Sequence, residues 1–82
     1  MSELIPLNYP INVNGETISE IKLRRPTVKD MKNIDKQGGT ELEQAIAMMA
    51  GLSGLSQQDI EKIDGADFSQ ISEVIADKFF RH

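Results

Sequence analysis

The sequence contains no cysteine and no tryptophan, one tyrosine, and a single histidine that is its last residue, His82. Without cysteine there is no disulfide framework and no thiolate metal site, and a reducing, intracellular setting fits. Without a second histidine, nucleophilic triads and zinc sites have too few residues to build on, and a frayed terminal His82 is a poor catalytic base. Phosphate-cradling loops are missing as well: Gly51, Gly54 and Gly65 belong to neither a GxGxxG nor a GxxxxGK pattern. Asp59, Asp64 and Asp67 lack the spacing of a calcium loop and read as helix caps and ends. No apolar run approaches the roughly 20 residues that span a bilayer. Met1-Ser2-Glu3-Leu4 has neither the basic region nor the cleavage site of a signal peptide. The expectation is a protein that is not an enzyme and holds neither cofactor nor metal.

The chain has 82 residues, which sets the domain count at one. A domain this small buries roughly 60–65% of the surface its unfolded chain exposes, so its core is thin. The net charge of −4 is spread unevenly. Residues 22–36 hold six of the nine basic residues, Lys22, Arg24, Arg25, Lys29, Lys32 and Lys36, against Asp30 and Asp35. Residues 38–82 hold eight acids against Lys62, Lys78 and Arg81, a balance of −5. An acidic chain is a poor nucleic-acid binder, because phosphate contacts supply most of that affinity. A protein partner that reads a basic patch beside an acidic face fits better.

Asn14-Gly15 lies between two alternating segments, and Asn-Gly is the strongest short-range hairpin signal, since a type I′ turn needs φ > 0 at both central residues. The spacing predicts strands over 9–13 and 16–24, with residues 1–8 an extended lead-in because of Pro6 and Pro10. Ile18 is out of phase with Ile21 and Leu23, so either a bulge intervenes or both faces are partly covered. Pro26 ends the second strand, and Thr27 with Asp30 caps a helix over 28–36 that turns Val28, Met31 and Ile34 inward.

Gln37-Gly38-Gly39 breaks that helix. Thr40 with Glu43 forms a capping box for a second helix, 41–50, whose stripe is Leu42, Ala45, Ile46 and Met49 and whose stop is Gly51. Ser56 caps a third helix over 57–63 that buries Ile60 and Ile63. Asp67, with Gln70 at the box position, caps the last, with Phe68, Ile71, Ile75 and Phe79 as its stripe. The pattern predicts an α+β fold: an N-terminal two-stranded antiparallel hairpin packed on three to four short helices, with the helical part over 27–82.

With catalytic chemistry missing, surface remains. Phe79 and Phe80 are neighbours about 100° apart on a helix, so Phe80 falls off the stripe. Met48 is off the stripe of its own helix. Exposed aromatic and methionine side chains mark adaptable binding surfaces. The candidate partner-binding residues are Arg24 and Arg25 at the strand-to-helix junction, Met48, Met49, Leu52 and Leu55 in the middle, and Phe79 and Phe80 at the end.

Three stretches taken in order carry a resemblance: INVNGETISEIKLRRPTVKDM (11–31), LEQAIAMMAGLSGLS (42–56) and IEKIDGADFSQISEVIADKFF (60–80). Together with the short length, they resemble the phage tail assembly chaperones, small proteins encoded beside the tape measure protein. The resemblance implies a non-enzymatic chaperone acting in the host cytoplasm and absent from the mature virion. Its partners would be the tape measure protein and, further, the tail tube protein or a second copy of the chain, with no nucleic acid and no membrane. Family members often have a longer frameshifted form, and a chain ending after Phe80 matches the unextended one.

Two other readings stand beside it. One is a connector or minor structural protein of a phage or prophage particle. The other is a small DNA-binding regulator, since the helices at 41–50 and 57–63 superficially suggest a helix-turn-helix. Against the latter, residues 57–63 carry Asp59 and Glu61 with only Lys62 positive, where a recognition helix is basic.

Overall fold

A computed structural model describes residues 2–80, so His82 lies outside the described residues. Strand β1, Ser2–Val13, pairs antiparallel with β2, Glu16–Arg24. Between them Asn14 has φ 53° and Gly15 φ 85°, the two positive values a type I′ turn demands. Helices α1 (Val28–Gln37), α2 (Glu41–Ser53), α3 (Gln57–Ile60) and α4 (Gly65–Val74) follow, and α4 runs on into a π-helical turn, Ile75–Phe79. The α+β architecture expected from the sequence is the one observed.

The lead-in is not a lead-in. Residues 2–6 pair with β2, from Ser2 opposite Arg24 to Pro6 opposite Glu20, and Ile5 and Leu7 are core residues. A two-stranded ribbon has two free edges, so a proline can sit in it with its missing N–H turned outward. Beyond Pro6 the register breaks. Pro6 to Ile11 is five steps along β1, whereas their partners Glu20 and Ile18 are two apart, leaving three extra residues on β1. An odd offset flips the side-chain parity, which is why Ile18 and Ile21 both reach the core. The bulge alternative for Ile18 is the correct one.

The core is one cluster. Ile5, Leu7, Ile11, Ile21 and Leu23 of the hairpin meet Met49 and Leu52 of α2, Ile60, Ile63, and Ile71, Ile75 and Phe79 of the last helix. Residues four apart drift about 40° around an α-helix of 3.6 residues per turn. The wider π turn takes back part of that drift, so Phe79 stays 7% exposed while Phe80 is 46% exposed.

Two helices differ from expectation. No residue of α1 is fully buried: Val28 is 79% exposed and Met31 is exposed too, and of the three residues expected inward Ile34 alone, half-buried, faces α2. In α2 the buried residues are Ala47, Met49, Ala50 and Leu52, while Leu42 is 59% exposed. Apolar residues surround α2 on most sides, so their spacing did not define which arc meets the hairpin. The helix also continues past Gly51 to end at Gly54, whose φ of 79° gives the left-handed cap.

Asp67 is the other correction. It is 1% exposed and caps nothing; Asp64 is the N-cap of α4 and accepts from the Ala66 N–H. Asp67 instead accepts the backbone N–H of Asn8 at 3.1 Å, that of Tyr9 at 3.0 Å, and the Asn8 side-chain amide at 3.2 Å. These two N–H groups lie in the irregular stretch of β1, where ladder pairing is lost. A buried carboxylate is tolerated because it meets backbone donors that would otherwise be unpaired.

Candidate functional site

One groove lies between α1 and α2. It measures about 460 Å³. Its α2 wall is built from Ala47, Met48, Ala50 and Gly51, continued by Gly54 and Leu55; its α1 wall is Asp30, Asn33, Ile34 and Gln37. Ala47, Ala50, Gly51 and Gly54 recur at i, i+3, i+4 and i+7, one smooth strip of small residues. A second groove of about 300 Å³ shares Gly51 and Gly54 and is bounded by Ser2, Lys22 and Arg24. Together they make a trough across the C-terminal end of α2.

Local sequence holds α1 over this trough. Thr27 and Asp30 form the capping box read from the sequence, with the Thr27 N–H donating to Asp30 at 2.7 Å. Arg24 grips the same carboxylate through both terminal nitrogens, at 2.7 and 2.8 Å. The Arg24 guanidinium first, and the Thr27 N–H second, hold the Asp30 carboxyl well below the usual carboxylate range. At the other end Gly38 and Gly39 have φ of 69° and 99°, and the Gln57 amide donates to Gln37 Oε1 at 3.3 Å. The Thr40–Glu43 box then opens α2 as expected, and Ser56 caps α3. Ser56 first, then Lys62, lowers the Asp59 carboxyl.

The eight candidate residues do not form one patch. Met48 and Leu55 line the first groove, Arg24 and Leu52 the second. Met49, Leu52 and Phe79 are core residues, reachable by a partner only where Leu52 borders the trough. Arg25 is turned onto the last helix: its guanidinium carbon sits 5.6 Å from the centre of the Phe79 ring, and Nη1 donates to the Lys78 carbonyl at 3.3 Å. Phe80 is exposed and lines neither groove. Reading the sequence missed Ile34, Ala47, Ala50, Gly51 and Gly54; the small-residue spacing in 47–54 was the signal available.

Among the described residues no three histidine, aspartate or glutamate side chains are placed to hold a metal ion, and no helix is long and apolar enough to cross a membrane. The fold is a hairpin packed on short helices, with a trough between helices walled by small and apolar residues on α2. The family described as phage tail assembly chaperone proteins, E, or 41 or 14, matches residues 4–79, nearly the whole chain. The chain belongs to that family. Comparison with curated proteins and with solved structures gives no match.

Proposed function

We propose that the protein binds apolar helical segments of the tape measure protein and keeps them soluble during tail assembly, without catalysing a reaction. The reading rests on family membership, and one observation carries it to a surface: the trough across Gly51 and Gly54. Small residues let another backbone approach closely, and Ile34, Met48 and Leu55 supply apolar contact. On this reading the protein acts in the host cytoplasm and is left out of the finished particle.

Filling the trough tests this. A Cβ on Gly51 would meet nothing within 4 Å, so the side chain of Gly51→Leu starts from open space and intrudes on the groove. The neighbouring tape measure protein is co-expressed with either form, and its soluble yield is measured. Wild type is expected to raise that yield and Gly51→Leu to fail while remaining folded. Equal yields with both forms would refute the groove as the binding surface.

A further inference from the structure

Helix α1 rests on α2 without packing into it. Neither the core cluster nor the apolar residues packed against it include any residue of α1. Eight of the ten α1 residues are exposed, and Asp30 and Ile34 are half-buried. Asp30, Asn33 and Gln37 stand opposite Ala47, Ala50 and Gly51 across the groove, so polar side chains meet an apolar wall over open space. Isolated helices shorter than about 12 residues are marginal in water, so the order of α1 depends on what holds its ends.

Those ties lie on the surface. At one end the Arg24 guanidinium holds Asp30, with half of the Arg24 side chain exposed. At the other the Gln57 amide donates to Gln37 Oε1 at 3.3 Å, also exposed. Joints flank both ends. Residues 25–27 connect α1 to β2 without regular structure, and Gly38 and Gly39, both at positive φ, connect it to α2.

We infer that α1 is a lid on this face of α2, closed in the free chain and displaced when an apolar helix seats there. The inference rests on the reading of that face as the seat of a tape measure helix. With the lid closed, Ala47 and Ala50 are each only 8% exposed. Lifting α1 uncovers them and opens an apolar strip from Ala47 to Leu55. An incoming helix then sets apolar side chains where α1 sets polar ones. Opening breaks no core contact, so the hairpin and the last helix stay folded meanwhile. A closed lid lowers the apparent affinity by the fraction of chains that are open, and the seated helix draws that fraction up.

Two measurements test the lid. Hydrogen exchange of the free chain reads it without a partner. The amides of Lys32 to Gln37, corrected for intrinsic rates, are expected to exchange at least about tenfold faster than the slowest amides of the hairpin and α4. A smaller difference would overturn the lid. The second measurement locks it. The chain has no cysteine, so Gln37→Cys with Gln57→Cys gives two unique thiols at neighbouring positions. A short bis-maleimide bridges them and ties α1 down; a single maleimide on each adds similar bulk without the tie. The tape measure protein is diluted from denaturant into each form, and the amount kept soluble is measured. The bridged form is expected to keep at least about fivefold less soluble than the capped form. Equal amounts with both forms would overturn the lid while leaving the binding surface in place. If the unmodified chain keeps none soluble, the tape measure reading fails instead, and the exchange difference alone decides the lid.

Discussion

The hairpin–α4 half and the α1 side of this molecule are built by opposite rules. In the first, apart from Leu4 and Tyr9, large apolar side chains point inward, and the one buried ionisable side chain among the described residues, Asp67, is matched to backbone donors. In the second, α1 contributes no buried residue, keeps Val28 and Met31 outside, and is held by an exposed Arg24–Asp30 fork and a glycine pair. The difference separates two jobs. The hairpin and last helix make the fold stable; α1 and the adjoining face of α2 offer surface at little cost to it.

Removing Asp67 should strike hardest. Asp67→Ala takes the charged acceptor away from the part-buried Asn8 and Tyr9 N–H groups, and an expected loss of about 3–5 kcal/mol follows. Urea denaturation measures it, and a loss under about 1 kcal/mol would mean that water reaches the bulge. Next comes the contrast of adjacent rings. Phe79→Ala is expected to cost about 3 kcal/mol and Phe80→Ala under about 1, since only the first ring is core. Equal large losses would erase the boundary drawn between core and surface at the end of the chain.

A pH titration probes the α1 side. The folded Asp30 carboxyl is depressed, so its contribution is fully present above the unfolded carboxylate value of about 3.9 and is lost as pH falls through the folded one. The stability gap between wild type and Asp30→Asn should therefore be constant near neutrality and shrink below about pH 4, a modest change because the pair is exposed. A gap that widens in acid would contradict the Arg24–Asp30 account. The smallest expected effect is a gain: Gly51→Ala, with open space at Cβ and a helical backbone, should stabilise by about 0.5–1 kcal/mol in thermal or chemical unfolding.

The same contrast explains what was legible in the sequence. Turns and caps are local chemistry, so Asn14-Gly15, Thr27, Thr40 and Ser56 each sit where their residue types require. Facing direction is not local. The spacing of Val28, Met31 and Ile34 is that of a buried stripe, yet tertiary packing turns Asp30, Asn33 and Gln37 to α2 beside Ile34 and leaves Val28 and Met31 outside. Asp67 with Gln70 mimics a capping box because the donors it serves lie 58 and 59 residues away, in a bulge created by strand register. The trough is half legible in the sequence: Met48 and Leu55 stand out by their apolar character, whereas the glycines and alanines beside them matter through the side chains they lack.

The most direct test of the division between a stabilising core and a binding trough is Gly51→Leu assayed twice, by unfolding and by soluble yield of the co-expressed tape measure protein. Unchanged or increased stability together with lost solubilisation is the expected result. Full solubilisation by a stably folded Gly51→Leu protein would contradict it.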